Sequence, residues 1–228
     1  MKNKAYRIIV DFLMFIFMIL EYSKIYTGQL IHEILGIALL ILFIIHNILN
    51  INFYRNLFKG KYNSSRAFLT IVDIGFLIFM LFTIILGIPI SKELFSFFSI
   101  SNGAVVSKLH ILFSYWGMIF LSMHLGLHFK AIFAKLISKV KKNKILKYIV
   151  DLLQILIVIY GIKLFFDTNI NNYLIAKASF GNYTNNIWIS LWNNFMIIFG
   201  VSIITYNIEK IIKWKTGERR NNLWIKLK

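Results

Sequence analysis

Six long apolar stretches dominate the chain, at roughly 8–26, 29–50, 68–88, 109–129, 148–166 and 188–208. A helix needs about 20 apolar residues to cross the hydrocarbon core of a bilayer, so each stretch is long enough to span one. Few connecting residues remain, which leaves no room for a separate globular domain. The expected architecture is an all-α membrane protein of six transmembrane helices. Residues 1–147 would form a four-helix core, and 148–228 would add two helices and a basic cytoplasmic tail. The only proline, Pro89, follows the third stretch, where a helix stop belongs. The first stretch ends in Glu21-Tyr22-Ser23-Lys24 without the small residues of a signal-peptidase site, so it is expected to be a retained span.

The net charge of +17 would suggest nucleic acid in a soluble protein, but the distribution of its 26 Lys and Arg argues otherwise. With the N-terminus placed in the cytoplasm, 21 of the 26 fall in the first tail, in 52–66, in 130–147 and in 210–228. The other five, Lys24, Lys92, Lys108, Lys163 and Lys177, lie in or beside the outer segments. The positive-inside rule then puts both termini in the cytoplasm of a multi-pass membrane protein. The charge reports orientation, and membrane lipid replaces nucleic acid as the expected partner. The absence of cysteine excludes disulfides, thiolate metal sites, iron–sulfur clusters and thioether-linked haem.

Against this apolar background all five histidines fall in the second and fourth stretches. Ionisable groups at membrane depth are costly and point to function. His32 and His46 are 14 residues apart, as are His110 and His124, and His128 follows one turn later. Fourteen helical residues rise about 21 Å and return to within about 40° of the starting direction, so each pair shares a face at two depths. Both helices run from outside to inside. His32 is therefore level with His110 near the outer surface, and His46 with His124 further in. Two opposed imidazoles at each of two levels suit the axial positions of two b-type haems, with the four histidines as iron ligands.

Stepping 18 residues from each first histidine gives Asn50 and His128, which are expected on the ligand face. His128 is read as holding a haem propionate, lining a quinone site, replacing His124 as ligand, or packing. His124 is preferred as ligand because its spacing matches that of the other pair. Gly36 and Gly117 lie close to the ligand faces, where they would either make room for a porphyrin or allow close helix packing. Arg55, Lys59, Lys61, Arg66 and Lys108 would reach propionates or snorkel at the lipid boundary. Glu33 is expected in interfacial solvent, and Tyr115 and Trp116 in packing. Ile9-Val10-Asp11, Ile71-Val72-Asp73 and Ile149-Val150-Asp151 echo one another at the starts of the odd-numbered spans, suggesting hairpin duplication. Their carboxylates are expected to face exposed helix amides.

The segments Tyr26-Thr27-Gly28-Gln29-Leu30-Ile31-His32-Glu33, Ile45-His46-Asn47-Ile48-Leu49-Asn50, Phe58-Lys59-Gly60-Lys61-Tyr62 and Leu109-His110 through Ser114-Tyr115-Trp116-Gly117 to His124-Leu125-Gly126-Leu127-His128 carry a resemblance to a known family. The chain resembles the flavinylation-associated cytochromes of bacterial membranes. The resemblance runs through the first four helices and more loosely through the last two. Asn47 stands where the second histidine of an adjacent pair is usual, and Ile51 where an aromatic is usual. The resemblance implies a membrane b-type cytochrome, with His32, His46, His110, His124 and His128 at the family's histidine positions. It also implies electron exchange with an extracytosolic flavin-carrying protein, the electrons passing to or from a membrane donor such as a quinol. On this reading the chain is an electron-transfer subunit rather than a self-contained enzyme. The competing expectations are a histidine-dependent metal or proton transporter and a non-redox scaffold.

Overall fold

A computed structural model describes residues 2–98, 100, 103–177 and 186–216; the last basic residues of the tail, from Arg219 on, lie outside the described residues. Six long helices alternate in direction: α1 (Lys2–Glu21), α2 (Gln29–Leu49), α3 (Ser64–Gly87), α4 (Ala104–Ile132), α5 (Lys144–Asp167) and α6 (Ile187–Lys215). No strand occurs among the described residues. Helices α2 to α6 are long and apolar enough to cross a membrane. The 20-residue α1 is long enough as well, but it carries Arg7, Asp11 and Glu21 besides its leading lysines.

Local chemistry sets the helix ends. The side chains of Asn63, Asn143 and Asn186 accept from the backbone N–H groups of Arg66, Leu146 and Trp188, capping α3, α5 and α6. Each such cap is worth about 1 kcal/mol. Pro89 sits in a 3-10 turn, Ile88–Ile90, that terminates α3. The first span is shorter than the apolar stretch implies: α1 stops at Glu21, and a separate short helix, Lys24–Thr27, follows. The cause is at Tyr22 and Ser23. The Tyr22 hydroxyl donates to the Ser114 carbonyl of α4 at 2.9 Å, and fully buried Ser23 hydrogen-bonds to Ser190 of α6 at 3.1 Å. Gly28, at φ 82°, then turns the chain into α2.

The helices pack as α1 on α2, α3 on α4, and α6 on both α4 and α5, while α6 also reaches α1 and α3. α2 has no extensive backbone packing against α3 or α4. The tightest backbone approaches involve α6. A Cβ on Gly126 of α4 would lie 2.3 Å from the Ser202 carbonyl oxygen, and one on Gly161 of α5 would lie 2.9 Å from that of Met196. Small residues let helix backbones meet in this way inside membranes. The main core includes Met14 and Met18 of α1, Leu39 and Phe43 of α2, and Met80 and Met118 of α3 and α4.

Candidate functional site: two facing histidine pairs

The fold brings the four evenly spaced histidines together as two pairs. The His32 and His110 rings face each other with centroids 6.2 Å apart and planes at 84°. The His46 and His124 rings are 6.5 Å apart at 73°. Along α2 and α4 the two levels are separated by 14 residues, a rise of about 21 Å. Both pairs bridge α2 and α4, which approach each other here through side chains and not through extensive backbone packing.

An oxygen atom lies beside the Nδ1 atom of every one of the four. Nδ1 of His32 lies against a Glu21 carboxylate oxygen, that of His46 is 2.7 Å from Asp11 Oδ1, and that of His124 is 2.8 Å from Asp73 Oδ1. Nδ1 of His110 lies 2.9 Å from the Thr83 carbonyl oxygen. The Nδ1–H groups of His46, His110 and His124 donate to these acceptors, whereas the His32–Glu21 approach lacks hydrogen-bond geometry, and Nε2 of His46 meets the Asn50 side-chain amide at 3.4 Å. His110 reaches Thr83 past Gly87, where a Cβ would lie 3.3 Å from the imidazole Cε1.

Asp11 and Asp73 thus depart from expectation. They lie well inside their helices, where the backbone N–H groups are already bonded, so no exposed amides are at hand and the carboxylates turn to α2 and α4 instead. The third echo, Asp151, is exposed and faces no histidine. The signal for these acceptors lies in that echo. Ten residues beyond Asp11 and Asp73 come Glu21 and Thr83, so α1 and α3 present their acceptors at equivalent positions for the two levels. Residue type alone cannot reveal Thr83, because its contribution is a backbone carbonyl.

Glu33 also departs from interfacial solvation. It accepts from the Ser91 hydroxyl at 2.7 Å and from the N–H groups of Lys92 at 2.9 Å and Leu94 at 2.7 Å, with Gln29 donating at 2.5 Å. It fastens the turn after α3 to the start of α2. Nearby Lys24 has its pKa lowered by burial first and by Lys92 second, with Glu33 and Glu21 opposing.

The two glycines near the ligand faces are not close-packing points. A Cβ on Gly36 would meet nothing nearer than a Glu21 carboxylate oxygen at 4.0 Å, and one on Gly117 nothing nearer than Phe79 Cβ at 3.9 Å. Gly126, by contrast, has a backbone oxygen where its Cβ would go. Tyr115 and Trp116 do pack: Tyr115 stacks on Tyr173 at 4.5 Å, and the Trp116 ring N–H donates to the Leu174 carbonyl at 3.1 Å.

At the inner level His128 sits beside His124, with ring centroids 4.6 Å apart. Asp73, His124 and His128 offer ligand atoms within 4.8 Å of one another. Asn50, the counterpart of His128 on α2, donates to the His46 carbonyl at 2.9 Å. Asn47 donates to the Phe43 carbonyl at 2.6 Å and accepts from Tyr54, tying the short helix Ile51–Arg55 back to α2. Among the cations expected near propionates or the lipid boundary, Arg55, Lys59, Lys61 and Lys108 are exposed. Arg66 is committed to the loop, donating to the Asn56 carbonyl at 2.6 Å and lying over Tyr62. Arg7 does reach the bundle, donating to the Leu49 carbonyl at 2.6 Å near the inner level.

No family model, curated protein or solved structure matches this chain, so its chemistry rests on its own residues.

Proposed function

We propose that this protein is a membrane diheme b-type cytochrome, with His32 and His110 as axial ligands of an outer haem and His46 and His124 as those of an inner one. The observation that carries the reading is the pairing of ring separation with Nδ1 engagement. Two imidazole nitrogens on one metal at about 2 Å each put their ring centres about 6 Å apart, the separation found at both levels. With Nδ1 turned to an oxygen at both levels, Nε2 would be the coordinating atom, the Asn50 amide giving way at His46. Gly36 and Gly117 leave side-chain space beside the ligands, where the porphyrin would lie.

Haem held this way supplies a reversible one-electron couple. The chain's own part is to hold two irons at different depths, orient the ligands through Nδ1, and surround them with apolar helix faces. With these four histidines holding both irons, no coordination position would be left open, which favours electron transfer over oxygen activation. α1 completes the six spans: Arg7, Asp11 and Glu21 all turn onto α2, so its outer face carries few charges. With the positive-inside orientation, the outer haem would meet an extracytosolic flavin-carrying protein and the inner one a membrane donor such as a quinol, in a bacterial cell membrane with both termini cytoplasmic. Protein purified from haem-replete cells should give a low-spin b-type reduced-minus-oxidised spectrum and about two haems per chain. A haem-free preparation would sink the reading.

A second reading rests on the Asp73, His124 and His128 cluster, whose donors suit a divalent transition metal. It predicts stoichiometric bound metal lost on His128→Ala, in protein without haem.

A further inference from the structure

The two levels differ in what holds their imidazoles, and this difference deepens the diheme reading, on which it rests. At the inner level both ligands donate to carboxylates, His46 to Asp11 and His124 to Asp73. At the outer level His32 has the carboxylate of Glu21, but His110 has only the neutral carbonyl of Thr83. A carboxylate on Nδ1–H draws the proton toward itself and makes Nε2 a stronger donor, which favours the oxidised metal and lowers its potential. A neutral carbonyl does so less.

We propose that the iron at the His46–His124 level has the lower potential, so that an electron shared between the two centres rests at the His32–His110 level. The internal step balances by itself: the ferrous inner iron loses one electron and the ferric outer iron gains it. In the positive-inside orientation this makes the intrinsic gradient run outward, toward the face where a flavoprotein would dock.

Surrounding charges must be weighed against this. Arg7 donates to Leu49, one turn beyond His46, and a cation there opposes the effect of the inner carboxylates. Asp11 is half exposed, at 54%, whereas Asp73 is 13% and Glu21 14% exposed. Solvent therefore screens the Asp11 charge more than the other two. Its effect on the ligand survives because it acts through a direct hydrogen bond at 2.7 Å. At the outer level Lys24 adds a cation near Glu21 and His110, which favours the reduced form there. Asp73 then supplies the inner level with a buried carboxylate that matches Glu21, and Asp11 supplies the excess.

The test is a spectroelectrochemical titration of the purified full-length protein in lipid nanodiscs, after haem has been counted. Two components should resolve, and the component missing from His46→Ala should be the lower in potential. Asp11→Asn and Asp73→Asn should each move that component upward and leave the other in place. Glu21→Gln should move only the higher component. Asp73→Glu should restore most of the shift, which a merely structural role would not produce. Should Asp73→Asn fail to fold, Asp11→Asn, at the more exposed position, gives the same reading. Two haems with the lower potential at the His32–His110 level, or inner-level potentials unmoved by both Asn variants, would overturn the inference alone. Protein without haem would overturn the diheme reading and this inference together.

Discussion

The first two helical hairpins and the third begin alike and end differently. α1, α3 and α5 all carry the Ile-Val-Asp triplet on their first half, but only α2 and α4 return histidines to meet it. Asp11 and Asp73 become hydrogen-bond acceptors for imidazoles, whereas Asp151 stays exposed. The packing diverges in the same way. α5 and α6 close onto each other until Gly161 and Gly200 nearly touch, their Cβ positions 3.3 and 3.4 Å from the opposite Cα. α2, in contrast, keeps its backbone away from α3 and α4. An acidic residue at a fixed place in a membrane helix therefore acquires a role only from the helix that packs against it. The third hairpin closes backbone to backbone at its glycines, whereas the gap between the first two hairpins, from α2 to α4, is left to side chains and whatever lies between them.

Four experiments test the contrast between the hairpins. The largest effect is expected for His124→Ala, which should lower haem content by about half by emptying the inner level while leaving the outer one. Pyridine haemochrome assay of the purified variant checks it, and full haem retention would move the ligand role to His128. Gly126→Ala places a methyl group against the Ser202 carbonyl of α6, a backbone atom that cannot swing aside. A cost of about 1–3 kcal/mol is expected, read as a lower thermal midpoint in detergent. Gly36→Ala should leave the thermal midpoint of haem-free protein almost unchanged, since nothing lies within 4 Å except a carboxylate oxygen at that limit. It should weaken haem retention at the outer level, and unaltered retention under competition with apomyoglobin would show that the space is not used. Asp151→Asn should change neither haem content nor stability, within about 0.5 kcal/mol, as befits an exposed group. An effect comparable to that of Asp73→Asn would mean that the third hairpin shares the role of the first two.

Much of the site is legible in the order of residues along the chain. The two 14-residue spacings put His32 with His110 and His46 with His124, because helical pitch is fixed and membrane helices that run in the same direction share their levels. The neighbours are less legible. Their own helices' sequences direct Asp11 and Asp73 to helix amides, and Glu33 to solvent, because they do not show which way each helix is rotated about its axis. Glu33 finds its partners in residues 91–94, which α3 delivers to the start of α2 only after the chain has crossed twice more.

Residue order alone establishes that this chain is built of membrane-length helices and that its histidines fall at two shared levels. Hydropathy and the 3.6-residue repeat are local properties, so neither needs knowledge of the partners. Which groups face the imidazoles, which glycines stand open and which are packed, and why the inner level has two carboxylates and the outer level one become visible only in the folded bundle. Those features depend on helix rotation and approach, which the crossings of all six helices set together. A carbonyl such as that of Thr83 is offered by every residue, and only the space beside Gly87 lets His110 reach this one.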